Sequence, residues 1–576
     1  MMRGFLTHDK QADHQELRDV LAEWASAGWE AAAQYHFQTF GYEFEIYEQD
    51  GTSQEDARRM RGYATEQPDT DRGKSYAGAA IEVLALPSPT ADLAPEPAVG
   101  RCGSAQPLSS DKLLQILSLL ACPVREKRLP WSGAEPVLLK TSPSGGSRHP
   151  TEIYLWVTGL DGLNDGWWHV AAHEHRLERI GGAAPPFELI APLPGQVSAG
   201  PRVLLLYTCL FARNRYRYRE PRTFRTVHMD VGHLMGTCEF LATSRCLDAA
   251  PVTHIDAPAL AAALALNPLV ECPIAATMLR QSSPANAWLQ PSDEGDNRLA
   301  MVRFDAYGDV VFEDAQRGLK QHIDPHSAMN SILKMSPETA PRQEQDVVSD
   351  WISKGWRPSL EYFLWSELPS RSYPRPGSAA AHARWQELPH PTRDRLVPSV
   401  GALLVGRRTV RVFDRRPLAS ADLAGIVELP GIYLGAGVSF RLVAYDVDGL
   451  SPGVWTIDER RRRAHLGVAG EFREEMSAIM CGMSAARTAS LTLVLVVDMQ
   501  QRQRAYPYER ALRELYVDLG RLSQHLIIAA EALGLGCLIT PATNDRKLAA
   551  LLRLEHRECP VYTLTIGHKL SEHSEE

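Results

Sequence analysis

At 576 residues the chain exceeds what one hydrophobic core organises, so two or more domains are expected. With 44% apolar and 23% charged residues and a formal net charge of −9, it has the composition of a globular protein, without a basic footprint for nucleic acid. Its longest clean apolar runs, such as Leu113 to Val124, are too short to span a bilayer, and its nine cysteines lack CxxC or His/Cys ligand spacing, which argues against zinc and against a disulfide framework.

Residues 1–13 hold no apolar signal-peptide core, so a cytoplasmic setting with reduced thiols is expected. Glu23-Trp24-Ala25-Ser26-Ala27-Gly28-Trp29 then leads into an amphipathic stretch carrying Tyr35-His36. Next comes Ser142-Pro143-Ser144-Gly145-Gly146-Ser147-Arg148-His149-Pro150, running straight into a strand at Thr151 to Val157. A small, glycine-rich turn ahead of a buried strand lets backbone approach a flat ligand closely, and Ser144 can donate one hydrogen bond there. Asp161-Gly162-Leu163 separates that strand from Gly166-Trp167-Trp168-His169, the pattern of a hairpin. A strand at Val203 to Cys209, an arginine-rich loop from Arg213 to Arg225 and a long helix through Asp230-Val231-Gly232-His233-Leu234 follow.

Gln281 to Gln345 is polar and dotted with proline, and reads as a linker. The hairpin pattern within it (Leu299 to Phe304, Gly308-Asp309, Val310 to Phe312) leaves a small winged-helix-like insert open. Asp350-Trp351-Ile352-Ser353-Lys354-Gly355-Trp356 and the pair Tyr362-Phe363 come next, then an exposed connection from Arg371 to Pro391. Gly406-Arg407-Arg408-Thr409-Val410-Arg411-Val412-Phe413 gathers three arginines and a hydroxyl within five residues, a donor set suited to a phosphate dianion. Arg416-Pro417-Leu418 and a helix from Ser420 lead to the loop Pro430-Gly431-Ile432-Tyr433. A second hairpin joins Arg441 to Ala444 with Pro452 to Trp455 across Asp448-Gly449-Leu450. Leu491 to Asp498, the loop Gln501 to Arg513 and a helix through Asp518-Leu519-Gly520-Arg521-Leu522 close the series. In that helix Val517, Leu519, Leu522, Leu526, Ile527 and Ala530 keep helical spacing and face a core.

The second series repeats the first: acid-Trp-x-Ser-x-Gly-Trp, strand-DGL-strand, and strand, arginine-rich loop and long helix each occur twice. The expected organisation is a helical preface at 1–95, a first domain at 96–281, a linker or insert with a second helical preface at 282–395, and a second domain at 396–572. The halves have worn differently. Opposite Arg407, Arg408 and Arg411 the first half offers Pro97, Ala98 and Arg101, whereas the second half lacks the serine of Pro143-Ser144-Gly145-Gly146.

The stretch Ser142 to Val157 resembles the signature of SagB-type dehydrogenases, FMN enzymes of the nitroreductase superfamily that oxidise azoline rings in ribosomal peptides. Gly406 to Leu418 resembles the nitroreductase RRSxR element, which grips the flavin mononucleotide phosphate and ribityl chain. The resemblance implies an α+β fold of two tandem nitroreductase-like domains, each a central, mainly antiparallel sheet flanked by helices, forming an intrachain pseudo-dimer. In the family two protomers share each flavin, one giving the phosphate arginines and the other the PS loop. One composite site would then keep Arg407, Arg408, Thr409, Arg411 and Lys569 from the second half with Pro143, Ser144, Gly145 and Gly146 from the first. The other would be blank. Thr540-Pro541-Ala542 stands where the family usually has a small or glycine pair beside the ring, a departure at the ring contacts.

The azoline oxidases also carry a Lys-Tyr pair ahead of the YR(x)n(E/D)xGH helix. Here Tyr218 matches the tyrosine and Arg217 replaces the lysine, in a loop one residue longer. A desolvated lysine can lose its proton and act as a base, whereas arginine effectively cannot. Tyr218 or His149 is left as the candidate base, and a role for Tyr218 and Arg217 in covering the flavin or docking substrate stays open. Arg225, Arg513, His233 and His525, on or beside the long helices, read as structural.

The leading expectation is an FMN-dependent dehydrogenase acting on a ribosomal peptide or peptide-like metabolite, alone or with a cyclase in a maturation complex. It would work as a monomeric pseudo-dimer or a higher homo-oligomer, without nucleic acid or membrane partners. Two alternatives stand beside it: a nicotinamide-dependent reductase of nitro groups or activated alkenes, and a flavin-free scaffold that presents a peptide to a partner cyclase.

Overall fold

A computed structural model describes residues 28–40, 73–76, 82–90, 107–128, 136–181, 201–281, 341–366, 386–388, 399–428, 436–458, 463–506, 508–555 and 557–570. The expected hairpin at 299–312, the connection at 371–385, Arg101 and the loop at 430–433 lie outside the described residues. The strands are β1 (Glu82–Ala85), β2 (Arg125–Lys127), β3 (Val137–Leu139), β4 (Thr151–Thr158), β5 (Gly166–Ala171), β6 (Arg176–Gly181), β7 (Arg202–Leu210), β8 (Leu247–Val252) and β9 (Glu271–Gln281) in the first half. The second half contributes β10 (Gln386–Glu387), β11 (Val438–Ala444), β12 (Gly453–Asp458), β13 (Arg463–Ala469), β14 (Leu491–Asp498), β15 (Leu535–Thr540) and β16 (Glu558–His568).

Two seven-stranded sheets result, with orders β1-β6-β5-β4-β7-β9-β8 and β10-β13-β12-β11-β14-β16-β15. Position by position these are the same topology, and the pairings within both are antiparallel. The two expected hairpins are β4–β5 and β11–β12, with Trp156 opposite Trp167 and Leu442 opposite Trp455. Strands β7 and β14 lie inside their sheets and read as near-continuous apolar runs, Val203 to Tyr207 and Leu493 to Val497, because side chains on both faces are buried. The fold is therefore α+β with two tandem domains of one design.

Each half sends out one long helix, Thr223–Ser244 and Ala511–Ala532, and the two cross in the middle of the molecule. Gly232 and Gly520 make that crossing. A β-carbon on Gly232 would overlap the carbonyl of Val517, and one on Gly520 would overlap the carbonyl of Met229. The two glycines occupy matching places in Asp230-x-Gly232 and Asp518-x-Gly520, so the same close approach is built twice about a pseudo-twofold axis. Polar contacts lock it: Arg521 Nε to Glu239 at 2.6 Å, His525 Nε2 to the same carboxylate at 2.7 Å, and His233 Nδ1 to Gln524 at 3.1 Å.

One continuous apolar core runs through both halves, and a smaller cluster around Phe413, Tyr445, Met476, Met480 and Leu548 belongs to the second. The helices of the two prefaces meet near the same axis, where Tyr35 stacks on Tyr362 with ring centres 5.0 Å apart. Arg225 and Arg513 are buried in this junction. Arg225 bonds Thr39 and Asp545, and Arg513 bonds His228 and Ser366, as structural roles require. Among the described residues no helix is long and apolar enough to cross a membrane. The expectation of wholly reduced thiols needs correction: seven cysteines are free and buried, but Cys246 is disulfide-bonded.

Candidate functional site

The long helix Thr223–Ser244 is the ruler along which the site is laid out. Near its start Arg222 donates to the carbonyls of Pro541 (2.6 Å) and Thr543 (2.5 Å) and to Asp545, fixing the 540–543 loop of the second half. Thr540 turns its hydroxyl inward to accept from the backbone N–H of Ala542 at 3.0 Å. Two turns on, Asp230 accepts from the Ser144 hydroxyl at 2.6 Å and from the N–H of Gly145 at 3.2 Å. Farther along, Thr237 and the Ser142 hydroxyl are 2.9 Å apart. The 142–146 turn thus lies along this helix.

Ser144 is more committed than the sequence suggested. Its oxygen accepts from the N–H of His149 at 2.9 Å while its hydrogen goes to Asp230. Gly146 sits at φ +61°, and a β-carbon there would overlap the Tyr218 hydroxyl. Only glycine lets that phenol rest on the turn. Arg217 lies over the Tyr218 ring at 5.0 Å, a cation–π contact rather than a free charge. Pro143 and Gly145 are half-buried, and Gly145 packs against Thr226 and Asn214. His149 is held well below the ordinary imidazole range, first by burial and then by the charges of Lys140, His173, Arg148 and Arg213. It is neutral at pH 7, and so depressed a basicity makes it a poor proton acceptor.

The cationic segment of the second half arrives from the opposite side. Residues 409–414 run along the sheet edge, with Val410 N–H donating to Cys537 O and Asp414 N–H to His568 O, each at 2.9 Å. Arg407 is buried and its Nε donates to the carbonyl of Thr141 at 2.8 Å, three residues ahead of Ser144. That bond crosses from one half to the other. Arg408, Thr409 and Arg411 are exposed, and the Arg411 guanidinium has no protein partner among the described residues. Lys569 is engaged, its Nζ 2.6 Å from Glu531.

Sequence reasoning missed two members of this cluster. Arg125 of the first half donates to the carbonyl of Arg407 at 2.8 Å. Its guanidinium is pushed down to about 10 by burial and by the charges of Arg408 and Arg407. Glu531 also faces Arg407 and Arg408, and one of its oxygens is buried without a partner. Neither residue lies in a recognisable motif, and only folding brings them to 407–411. Arg125 and Arg407, each lowered by burial and by neighbouring arginine charge, together with Arg408, the unpartnered Arg411 and one carboxylate leave a cationic excess that fits a phosphate dianion. Arg101 and 430–433 lie outside the described residues, so the second composite site is not described.

Beneath the turn lies a small cavity of about 20 Å³, room for about one water molecule, lined among others by Lys140, Ser144, His149, Thr151, Glu152 and Asp230. Burial pushes Asp230 up to about 7, against the hydrogen bonds from Ser144 and Gly145. Burial pushes Lys140 down to about 8, partly countered by Glu152. Glu152 itself is held below the usual carboxylate range by Arg213 and His169, which outweigh its burial.

Two sheets of one topology and the crossing long helices define an architecture that also appears among known proteins. Residues 460–568 match the nitroreductase family model, and the chain carries a nitroreductase-family domain. A crystal structure of a candidate nitroreductase from Anabaena variabilis superposes with a TM-score of 0.58 at 17% identity, covering 89% of this chain and 99% of that one, which extends the fold to both halves. By sequence, the chain is similar to the trifolitoxin-processing protein TfxB of Rhizobium leguminosarum bv. trifolii, 30% identical over 149 residues, 25% of this chain and 40% of that protein. It is also similar to the trifolitoxin operon protein TfxC of the same organism, 22% identical over 288 residues, 42% of this chain and 81% of TfxC.

Proposed function

We propose that this chain is an FMN-dependent oxidoreductase of the SagB type that withdraws two electrons from a ribosomal peptide or peptide-like product during its maturation, with azoline-to-azole oxidation as the leading case. The observation that carries this reading is the bond from Arg407 to Thr141, which joins the cationic segment of one half to the PS turn of the other. The similarity to TfxB and TfxC supports a peptide substrate and a place in a maturation complex, with the chain acting as its own pseudo-dimer.

Bound FMN would supply the two-electron chemistry. Arg407, Arg408, Arg411 and Arg125 would hold its phosphate, and Gly145-Gly146 would let backbone approach its ring. Tyr218, which rests on Gly146 and carries Arg217 over its own ring, would meet substrate there. Lys569 would serve through its pair with Glu531.

The purified chain should show a flavin spectrum and release one FMN per chain. Arg411→Ala should lose it and Arg101→Ala should keep it. Two FMN per chain would reject a single composite site. None after attempted reconstitution would favour a flavin-free scaffold.

A further inference from the structure

The cavity under the 144–146 turn holds an unusual set of unsatisfied groups. Lys140 is only 8% exposed, yet its ammonium makes no hydrogen bond to any described residue. Thr151 Oγ1 and His149 Nε2 are buried without partners and line the same space. Buried polar groups in native proteins are nearly always satisfied, and a polar cavity offering two to four partners is where ordered water sits. The lining carries both signs of charge, Lys140 against Glu152 and Asp230, which suits water better than an anion.

We infer that this cavity is the proton outlet of the redox site, with the Ser144–Asp230 pair as its entrance and Lys140 as the group that finally takes the proton. This rests on the flavin reading above. Bound FMN would accept one hydrogen of a substrate C–H with its electron pair, which would leave one proton for the protein to remove. Arg217 cannot take it, His149 is too weakly basic, and a proton first taken by the Tyr218 phenol must still be handed on. The Ser144 hydroxyl can pass it. When Asp230 is ionised, Ser144 donates to it at 2.6 Å; when Asp230 is protonated, that bond reverses and the serine hydrogen turns toward the ligand side. From Asp230 the proton crosses cavity water to Lys140 in those molecules whose amine is uncharged, a fraction that grows as pH rises toward 8.

The surroundings match the two ends. Glu152 on β4 attracts a proton to Lys140, while burial and Arg213, on the segment after β7, oppose it. Cys122 follows the helix Ser110–Ala121 and is held as a neutral thiol by burial. His149 and His173 are both depressed and feel the Lys140 charge as a repulsion. Asp230 near 7 and Lys140 near 8 differ by little, so transfer between them has a small driving force in either direction.

The test has two parts. Protein carrying 13Cε-lysine, with the Lys140 signal assigned by its loss in Lys140→Met, should show that lysine titrating near pH 8, and Asp230→Asn should move the midpoint. An ordinary lysine midpoint above 10 overturns the inference whatever the flavin content. The midpoint potential of the bound flavin is then followed against pH in wild type, Lys140→Met and Lys140→Arg. Negative charge on the reduced flavin would raise the affinity of Lys140 for a proton, so near pH 8, where about half of it is already charged, wild type should take up as much as about half a proton more per two electrons than either variant. Lys140→Arg keeps the charge and carries the test should Lys140→Met fail to fold. Identical slopes in wild type and Lys140→Arg overturn the inference and leave the flavin reading standing. Absence of flavin in wild type overturns both, and is visible at once in the spectrum.

Discussion

The indole Nε1 of Trp356 donates to the carbonyl of Tyr218 at 2.7 Å, and the indole Nε1 of Trp29 makes the same bond, also at 2.7 Å, to the carbonyl of Tyr506. Trp29 and Trp356 are the closing tryptophans of the two repeated preface motifs, and Tyr218 and Tyr506 occupy matching arginine-rich loops. Each preface therefore secures the loop of the opposite half. The segment bearing Tyr218 is held from outside its own domain, which keeps the phenol over Gly146.

Trp356→Phe keeps an aromatic ring but removes the donor and leaves a cavity where the rest of the buried indole packed. It should destabilise the protein by more than the roughly 0.5–1.5 kcal/mol of the hydrogen bond and raise amide exchange across residues 216–219. Trp29→Phe should cost a similar amount and leave exchange at 216–219 unchanged. Thermal unfolding together with exchange mass spectrometry separates the two.

Arg407 and Arg411 should part company when each is replaced by alanine. Arg407 is buried and bonded across the halves to Thr141, so Arg407→Ala should lower both the melting temperature and the flavin content, with a stability loss of roughly 1–3 kcal/mol. Arg411 is exposed and has no protein partner among the described residues, so Arg411→Ala should lower flavin affinity alone. Melting curves of the flavin-stripped proteins make this comparison free of ligand stabilisation.

Much of the architecture was legible because it is local and repeated. The DGL turns, the strand patterns and the Asp-x-Gly of each long helix are short-range signals that occur twice, and they became two sheets of one topology. The pairing of Arg407 with the PS turn was implied by the resemblance to the nitroreductase superfamily, and the complementary wear of the two halves agreed with it. The cavity was not legible. Lys140 sits two residues ahead of the Ser142–Pro150 stretch in an unremarkable run, and its significance comes from Glu152, Arg213 and burial. Arg125 and Glu531 join the cationic cluster from elements far away in sequence. The commitment of Ser144 to Asp230 was hidden too, since nothing in a motif says which way a hydroxyl hydrogen points.

Gly232→Ala tests the crossing of the long helices. Its β-carbon would overlap backbone at Val517 and approach Arg521 N at 2.6 Å, and backbone cannot swing aside as a flexible side chain can. Overpacking of this kind typically costs about 1–3 kcal/mol, and a main-chain clash at a central junction should reach the top of that range. Gly520→Ala should behave alike, because it meets the Met229 carbonyl in the same way. A melting temperature unchanged in both variants would mean the helices cross more loosely than described.

Stability should also depend on pH, falling on the alkaline side through Glu220 and Glu509, both raised to about 7 by burial, and, at the turn, through Asp230. Its carboxyl is raised from an ordinary 3.8 to about 7, so the folded protein holds this proton more tightly than the unfolded chain does. The contribution is full below pH 3.8 and is lost as pH rises through about 7, an amount of up to roughly 4 kcal/mol as an upper bound. On the acid side the order reverses. Glu178, Glu239 and Glu514 are lowered from 4.5 to about 2 against their own burial, by hydrogen bonds from His169, by Arg521 and by His254 respectively, so their stabilisation is present above 4.5 and fades as pH falls toward 2. Asp230→Asn cannot ionise, yet it can still accept from Gly145 and pair with Ser144. In urea titrations it should match wild type near pH 5.5 and exceed it near pH 8.5. A variant less stable than wild type at pH 8.5 would show that the ionised carboxylate is what the 144–146 turn requires.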